Sequence, residues 1–539
     1  MSGPAQTTHG APLDRAALWA RVRAAEPFDL VVVGGGATGC GLALDAAARG
    51  FSVALFEAED FAKGTSSRAT KLLHGGVRYL AQGDVGLVRE ALHERAAVLH
   101  NAPHLASRLP FVMPSYHWWE RGFYGMGLKA YDLLAGSRSL GDTEFLSAGR
   151  TKTLLPNVRA QGLAGGVRYW DAQFDDARLA VALARTAAAH GAVVLNHAPV
   201  TGLLREQGLV RGVTVRGPDG DVHVLARCVV NATGIWVDAL RDMDRDVDTP
   251  HRPPLVAPSQ GVHLVVDRGF WPGDHALLVP KTRDDRVLFA VPWLGKTLLG
   301  TTDTPRDRVQ HDPLPLRAEV DFILDESARY LSRPPGRDDV RSVWVGMRPL
   351  VKPQAEDGGD TKALSREHTV LVGRSGLVTV TGGKWTTYRA MAEDVLTRCM
   401  ARGLLPPRPG GATAGLPLVG AQATHRTLVV PPGAHLYGAE AQTLQALPGA
   451  DRWLWRDPES DAPVLSEAMV RFAARHELAA SVEDVLARRS RLLFLDARAA
   501  AGLADDVAAI LAEELGDDVD AAASSAAFRT LAQGYATLP

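Results

Sequence analysis

Three glycines near the N-terminus have the spacing of a dinucleotide-binding turn. Gly34, Gly36 and Gly39 follow a run of β-branched and apolar residues, 28–33, in the pattern G-x-G-x-x-G. The first glycine of such a turn permits the bend, the second lets the backbone approach a pyrophosphate, and the third lets a helix pack closely on a strand. The pyrophosphate would accept hydrogen bonds from the free N–H groups of the following helix. This spacing alone is a weak signal, so the elements predicted around it have to show whether the turn binds a dinucleotide.

The elements around the turn support this interpretation. An Ala-rich helical stretch over 42–48 follows the glycines, and a second predicted strand, 53–56, ends at Glu57. An acidic residue about 20 residues beyond the glycines can accept hydrogen bonds from the adenosine ribose hydroxyls. Such an acid favours an unphosphorylated ribose, as in FAD or NAD, over NADP.

A polar segment over 65–80 could contact the rest of the nucleotide. Its hydroxyls and backbone N–H groups suit phosphates and polar ring edges, and its paired glycines let the backbone lie close to a flat ring. A polar helix cap followed by a loop would have a similar sequence, but the preceding dinucleotide-binding pattern favours the cofactor interpretation. The candidate cofactor contacts here are Thr65, Ser66, Ser67, Lys71, His74, Gly75 and Gly76.

A second glycine-containing junction lies far along the chain. A predicted strand over 378–381 is followed by two glycines, several hydroxyl residues and a helical stretch over 389–400. A second helix N-terminus of this kind suits the pyrimidine end of a flavin. Simple NAD dehydrogenases do not need it, so this junction favours FAD. The candidate residues are Gly382, Gly383, Lys384 and Thr386.

Two arginines and one histidine could act on a substrate. Arg348 lies where a predicted strand breaks at a proline, and Arg366 precedes the final strand. The planar guanidinium can hold a phosphate or a carboxylate through two hydrogen bonds. His263 lies within an apolar strand, 262–266. Taken singly, such residues are more often structural ion pairs or buried core histidines.

The composition excludes several functional classes. The chain has 539 residues, with 46% hydrophobic and 22% charged residues, which is typical of a soluble protein of two or three domains. Its net charge of −2 gives no reason to expect nucleic acid binding. Cys40, Cys228 and Cys399 form no C-x-x-C pair, so we expect neither a disulfide scaffold nor a metal site. Without a long apolar stretch, we expect a cytoplasmic protein, and peripheral membrane contact remains compatible with the composition.

Changes along the sequence predict a discontinuous nucleotide-binding domain. Short strands after residue 190 return to the first βαβ unit, and two inserted regions interrupt it. The first inserted region is rich in aromatic residues, which more often pack in a core but can form a partner or membrane surface. The predicted units are a flexible N-terminal tail over 1–26 that leads into a small packing helix, an FAD-binding domain over 27–105, 165–255 and 365–405, a substrate domain over 106–164 and 256–364, and a helical C-terminal domain over 406–539.

Together these segments resemble the FAD-dependent glycerol-3-phosphate dehydrogenase family. The matching segments run in order over 28–400, and 481–489 resembles that family's helical domain. The resemblance implies an α/β (α+β) fold, in which a glutathione-reductase-like FAD-binding Rossmann domain joins an antiparallel-sheet substrate domain and an α-helical C-terminal domain. The matching segments are 33–39, 65–67, 74–80, 170–179, 231–234, 300–303, 346–350 and 382–388.

The resemblance also implies roles for individual residues. His263 would be the base and Arg348 would stabilise the developing alkoxide. The residues implied to line the substrate site are Arg78, Tyr79, Arg366, Lys384 and Thr386. The further cofactor contacts would be Val200, Ala232, Thr233 and Gly234. Trp385 stands where the family usually has an aliphatic residue, so it could alter the shape near the flavin.

The implied reaction is the oxidation of sn-glycerol 3-phosphate to dihydroxyacetone phosphate by hydride transfer to flavin N5. Electrons would pass to the membrane quinone pool, from a homodimer in peripheral contact with the inner face of the cell membrane. Family oxidases often carry a longer inserted segment that this chain lacks, which favours quinone over oxygen. The alternatives are a glycerol-3-phosphate oxidase, an amine or amino-acid oxidase of the same fold, and a non-catalytic flavoprotein.

Overall fold

The computed structural model describes residues 9–24, 26–76, 84–245, 253–283, 286–352, 368–516 and 520–539. The strands in these ranges are β1 Phe28–Val33, β2 Val53–Phe56, β3 Leu72–Leu73, β4 Ala106–Ser115, β5 Glu144–Ser147, β6 Gly165–Phe174, β7 Val193–Leu195, β8 Val200–Glu206, β9 Leu209–Gly217, β10 Gly220–Asn231, β11 Val256–Asp267, β12 Ala276–Val279, β13 Leu288–Trp293, β14 Lys296–Gly300, β15 Thr304–Pro305, β16 Val340–Val351, β17 His368–Val372, β18 Val378–Gly382, β19 Trp453–Arg456 and β20 Pro463–Ser466.

Helices connect and cover these strands. The α-helices are α1 Arg15–Arg23, α2 Ala37–Ala48, α3 Val85–Asn101, α4 Trp118–Ala135, α5 Ala148–Leu154, α6 Asp176–Ala189, α7 Val237–Met243, α8 Arg317–Tyr330, α9 Tyr388–Ala401, α10 Ala441–Gln445, α11 Glu467–Glu477, α12 Leu492–Leu495, α13 Ala497–Gly502, α14 Ala504–Leu515 and α15 Ala521–Ala536. Short 3-10 helices include Thr65–Ser67 and Trp385–Thr387, and Asp484–Arg489 is a π-helix. Within the described ranges, no helix has the length and apolar character needed to cross a membrane.

The first sheet contains the nucleotide-binding pattern. Its main strand order is β17-β18-β10-β1-β2-β7, and β8 and β9 extend it as a hairpin from β10. β1 runs parallel to both β10 and β2, and β18 runs parallel to β10. The helix α2 packs against α6 and α9. Because the carboxyl ends of parallel strands meet at one edge, the loops after β1, β2, β10 and β18 converge there.

The second sheet is largely antiparallel. Its main order is β15-β11-β14-β13-β12-β4-β6-β3, with β16 paired to β11 and β5 paired to β6. The strand β6 pairs with β4 along its whole length. Residues 165–174 therefore belong to this sheet, although the sequence placed them in the FAD-binding domain. The short β3 also pairs with β6, so the chain after residue 65 leads from the cofactor edge of the first sheet into the second.

Buried ion pairs fix the C-terminal unit against the first sheet. The carboxylate of Asp60 accepts hydrogen bonds from Arg488 and from Arg489, the latter at 2.6 and 2.9 Å. Arg178 on α6 pairs with Glu477 on α11 at 2.8 Å. Removing one partner of such a pair would leave an uncompensated buried charge, at a cost of about 3–5 kcal/mol. These ion pairs therefore constrain where the C-terminal unit lies.

The described part of the N-terminal segment is also held in place. The N–H of Leu13 donates to the carbonyl of Arg475 at 3.0 Å, and Arg15 donates to Asn196 Oδ1 at 2.6 Å. The helix α1, predicted as a small packing helix, buries Leu18, Trp19 and Val22. A fully flexible tail over 1–26 is therefore wrong for residues 9–24, because polar and apolar contacts both anchor them.

We expect Gly39→Ala to destabilise the protein by about 3 kcal/mol or more, because a Cβ at Gly39 would lie 1.8 Å from the carbonyl oxygen of Gly34. Gly127→Ala is the matched control, since it also changes a helical glycine, but its Cβ would have no heavy atom of another described segment within 4 Å. The control should be stable or slightly stabilised, since Ala favours a helix by about 1 kcal/mol. Urea unfolding followed by circular dichroism measures the free energy of unfolding of both variants. Equal stability of the two variants would contradict the steric argument.

Candidate active site

The glycine turn leaves no room for side chains where its backbone bends. Gly34 has a φ of +109°, and a Cβ there would lie 2.7 Å from the carbonyl oxygen of Ala232. The N-cap of α2 is Gly36, which has no side chain with which to cap the helix. Backbone N–H groups in the first turn of a helix can form an anion site. The turn therefore fits the pyrophosphate of a dinucleotide.

Two predicted cofactor residues flank this helix N-terminus. The Glu57 carboxylate accepts hydrogen bonds from the N–H groups of Gly35 at 2.6 Å and Glu59 at 3.0 Å. The hydroxyl of Ser66 accepts a hydrogen bond from the N–H of Ala37 at 2.9 Å. Glu57 is thus fixed at the end of β2, where it can accept from ribose hydroxyls. The segment 65–67 lies directly over the turn.

The second glycine junction lies beside the first. Gly382 and Gly383 have φ values of +79° and +76°, which glycine adopts readily. The indole N–H of Trp385 donates to the carbonyl of Ser66 at 2.8 Å. Trp385 thus fixes the relative position of two segments that are more than 300 residues apart in sequence. Thr386 is buried next to it.

The remaining predicted cofactor loops lie on the same edge. The N–H of Ala232 donates to the carbonyl of Val33 at 2.8 Å, and Thr381 donates to the carbonyl of Gly234 at 3.2 Å. Thr233, between them, donates its hydroxyl to Asn231 at 2.7 Å. Val200 begins β8 two residues after Ala198, whose N–H donates to the carbonyl of Glu57 at 2.8 Å. The loops after β1, β2, β10 and β18 therefore enclose one site.

Lys71 has a different environment from the one expected. Its ammonium is fully buried and donates to the carbonyl of Ser67 and to the carboxylate of Asp176, both at 2.7 Å. It also lies 4.5 Å from the centroid of the Trp344 ring and 5.3 Å from that of Trp293. The side chain of Lys71 therefore supports the 65–67 segment from the protein interior, and a cofactor contact of residue 71 stays a prediction.

A second cation shares the same carboxylate. Arg491 donates to Asp176 at 3.0 Å and to the carbonyl of Ser67 at 2.9 Å. Burial lowers the pKa of Lys71 to about 7, although Asp176 favours the charged form, and the charge of Arg491 adds to the lowering. Lys71 is therefore close to its titration point at neutral pH.

His263 lies in the second sheet, opposite Trp344 on β16 and Gly300 on β14. Its side chain is 2% exposed and stacks on Trp344, with 4.1 Å between the ring centroids. Nε2 lies 3.0 Å from the hydroxyl of Thr70, and the buried Nδ1 has no hydrogen-bond partner among the described residues. Burial, followed by the charges of Lys71 and Arg348, holds the pKa of His263 well below its ordinary value. The imidazole is therefore neutral at physiological pH.

Arg348 lies beside His263. Its guanidinium pairs with Asp303 at 3.0 Å and donates to the hydroxyl of Thr301 at 3.2 Å. Gly261 leaves space for it, since a Cβ there would lie 2.3 Å from a guanidinium nitrogen of Arg348. A fixed cation therefore stands beside a neutral imidazole. That pair can accept a proton and stabilise an anion.

Other predicted residues have varied positions. Gly75 donates its N–H to the Tyr131 hydroxyl at 2.8 Å, and Gly76 has a φ of +75°. His74 is exposed and Lys384 is half-buried at the second glycine junction. Arg78, Tyr79 and Arg366 lie outside the described residues.

Sequence reasoning missed several residues that support the site. Asp176 accepts a hydrogen bond from Lys71, and Arg491 donates to the carbonyl of Ser67. The hydroxyl of Thr70 contacts His263. Asp176 stands at the start of a predicted helix, where an acidic residue has an ordinary capping explanation. Arg491 is more than 400 residues away from Ser67 in sequence, and no local pattern connects them.

Comparison with known protein families accounts for most of the chain. A family model described as FAD dependent oxidoreductase matches residues 29–389, and one described as the C-terminal domain of alpha-glycerophosphate oxidase matches residues 411–522. The mitochondrial glycerol-3-phosphate dehydrogenase SDP6 of Arabidopsis thaliana is 42% identical over 534 residues, covering 91% of this chain and 83% of that protein. The mitochondrial glycerol-3-phosphate dehydrogenase of Homo sapiens is 40% identical over 526 residues, covering 91% and 71%.

Solved structures share the same architecture. The glycerol-3-phosphate dehydrogenase from Bacillus halodurans, complexed with FAD, has a TM-score of 0.74 and 28% identity, covering 97% of this chain and 98% of that one. The L-alpha-glycerophosphate oxidase from Mycoplasma pneumoniae has a TM-score of 0.55 and 16% identity, covering 72% and 97%, which shows a shared fold. The predicted fold class and the predicted FAD cofactor are confirmed.

We expect Lys71 to titrate near pH 7, because burial lowers its pKa to about 7. Losing its charge would change the environment of Trp293 and Trp344, whose rings lie close to the ammonium. Near-ultraviolet circular dichroism of the tryptophans should therefore change around pH 7. Lys71→Met is the control and should lack that transition. The same transition in both proteins would show that another group causes it.

Proposed function

Because the chain belongs to the FAD-dependent glycerol-3-phosphate dehydrogenase family, we propose that it oxidises sn-glycerol 3-phosphate to dihydroxyacetone phosphate. The observation that carries this proposal is the neutral, buried imidazole of His263 beside the guanidinium of Arg348. Removing a hydride from a secondary alcohol requires a group that accepts the hydroxyl proton and a cation that stabilises the alkoxide. His263 and Arg348 provide these two groups.

FAD supplies the hydride acceptor, at flavin N5, when it is bound. The residues that would hold its adenosine and pyrophosphate are Gly34, Gly36, Gly39 and Glu57. The 65–67 segment and the junction at Gly382 and Gly383 would hold the rest. These are the segments that Trp385 and the two cations on Asp176 fix together.

His263 would take the hydroxyl proton from the substrate while the hydride leaves the adjacent carbon. A base acts over about 2.6–3.2 Å, and the contact with Thr70 restricts the rotation of the imidazole. The substrate also brings a phosphate dianion into the site. Its negative charge would oppose the effects of Lys71 and Arg348, so it would raise the pKa of His263 and make it a better proton acceptor.

Arg348 would stabilise the developing oxyanion and not act as a base, because a guanidinium keeps its proton in proteins. Asp303 holds the guanidinium in a fixed orientation. For the phosphate we propose Arg78, Arg366 and Lys384, since a dianion in a water-poor site needs more than one cation. Tyr79 and Thr386 would complete this substrate site.

For the electron acceptor we propose a membrane quinone, with the protein in the cytoplasm and in peripheral contact with the inner face of the cell membrane. An acceptor dissolved in lipid requires the enzyme to reach the bilayer surface. Molecular oxygen is the second candidate. It is favoured by the match of residues 411–522 to a domain described from alpha-glycerophosphate oxidase.

We expect anaerobic addition of sn-glycerol 3-phosphate to bleach the flavin absorbance of the purified holoenzyme. Reoxidation of the bleached protein then separates the two acceptors. A soluble quinone analogue should restore the colour much faster than oxygen does. Faster reoxidation by oxygen, with release of peroxide, would replace the quinone proposal. A flavin that stays oxidised after substrate addition would reject the proposed reaction itself.

We expect His263→Ala to lower kcat by about 10²–10⁴-fold, the usual contribution of a general base. His263→Gln is a second variant, because an amide can keep a polar contact with Thr70 but cannot accept the proton. Both variants should retain bound FAD, which absorbance measures. Stopped-flow bleaching by substrate gives the rate of the chemical step. A variant that bleaches at the wild-type rate would exclude His263 as the base.

A further inference from the structure

The indole of Trp385 contacts several distant parts of the chain at once. Its ring lies edge-on to Phe174 at the end of β6, with 5.2 Å between the ring centroids, and to Tyr388 at the start of α9, with 5.6 Å. It also packs against a cluster of small residues, Ala62, Ala177 and Ala180. These contacts fix the orientation of the ring, so its single N–H donor points in one direction. That donor reaches the carbonyl of Ser66 at 2.8 Å.

Each residue of the turn that contains Ser66 is held by a distant segment. The hydroxyl of Thr65 donates to the carbonyl of Met347 on β16 at 2.5 Å. The carbonyl of Ser67 accepts from the two buried cations that share Asp176. Among the described residues, Trp385 is the one hydrogen-bond donor to the carbonyl of Ser66. The indole N–H is therefore the anchor of the middle residue of this turn.

The side chain of Ser66 lies over the N-terminus of α2. Its oxygen accepts a hydrogen bond from the N–H of Ala37, the first residue of α2, at 2.9 Å. A Cβ at Gly36 would lie 3.0 Å from the same oxygen. A hydroxyl can donate its own hydrogen while it accepts another, and within the described ranges no acceptor binds the O–H of Ser66. This O–H can therefore donate to an anion at the helix N-terminus, where a charged acceptor strengthens the hydrogen bond.

We propose that Trp385 is a positioning residue for FAD. By holding the carbonyl of Ser66, it would keep the hydroxyl of Ser66 beside the N-terminus of α2, where that hydroxyl donates to the pyrophosphate. An aromatic or aliphatic side chain without an N–H group could not do this. The inference depends on the FAD cofactor and is independent of the proposed base and of the electron acceptor.

The first test is the rate at which the full-length holoenzyme releases FAD after dilution, measured by the fluorescence of free FAD. Trp385→Phe keeps an aromatic ring but removes the N–H, and we expect it to release FAD about tenfold faster, because the carbonyl of Ser66 loses its partner. Trp271→Phe is the matched control. It removes an indole hydrogen bond of the same kind, to the carbonyl of His275 at 2.7 Å, in the segment between β11 and β12 of the second sheet. The control should release FAD at the wild-type rate.

A double-mutant cycle tests whether Trp385 acts through Ser66. Ser66→Ala should also speed the release of FAD, because it removes the hydroxyl that donates to the pyrophosphate. Adding Trp385→Phe to Ser66→Ala should then change the rate less than about twofold, since the residue that Trp385 positions has already lost its donor. If the Trp385→Phe protein is purified without FAD, reconstitution with added FAD gives a dissociation constant, which should be about tenfold higher than that of wild-type apoprotein.

Three results would overturn the proposal. They are a wild-type release rate in Trp385→Phe, an equal acceleration in Trp271→Phe, and effects of Trp385→Phe and Ser66→Ala that simply multiply in the double variant. Anaerobic bleaching by sn-glycerol 3-phosphate is a separate measurement. If no protein bleaches but the release rates differ as expected, the proposed function fails while the role of Trp385 is supported.

Discussion

The carboxylate of Asp176 is the point on which the rest of the arrangement depends. It stands at the start of α6 and binds two buried cations, Lys71 and Arg491, and both cations also donate to the carbonyl of Ser67. Three parts of the chain are thereby fixed together: the segment over the glycine turn, the first sheet and the C-terminal unit. Because an unpaired buried charge is so costly, the three parts can move apart only with a large penalty.

This constraint also sets the electrostatics of the candidate active site. Burial is the first cause that keeps the free imidazole of His263 neutral, and the charge of Arg348 and that of Lys71, when it is protonated, add to it. A neutral imidazole can accept a proton as soon as substrate binds. A histidine in water would be partly protonated near its ordinary pKa of about 6.5 and therefore partly unavailable as a base. The buried charges that stabilise the fold thus also help to keep His263, the group that we assign to catalysis, in its neutral form.

The helix α4 joins this interior to the surface. Tyr131 on its inner face contacts Gly75, while Trp118 and Leu133 on its outer side are almost fully exposed. The tertiary structure makes this connection by packing the insertion that carries α4 against the chain around Gly75.

The sequence by itself determined the parts of the site that depend on local backbone chemistry. The glycine turn, Glu57 and the Gly382 junction follow from strand–turn–helix patterns within a few tens of residues, and each lies at the carboxyl edge of the first sheet. Only the tertiary structure decided which side chains face ligand, core or solvent. The sequence places Lys71 among the candidate cofactor contacts. In the structure its ammonium is buried by Asp176 and Trp344, which come from distant segments. The aromatic composition of the first inserted region favours core packing, yet Trp118, Trp119 and Phe123 of α4 are exposed. A sequence pattern can show that a helix face is apolar, but it cannot show whether another part of the chain covers that face.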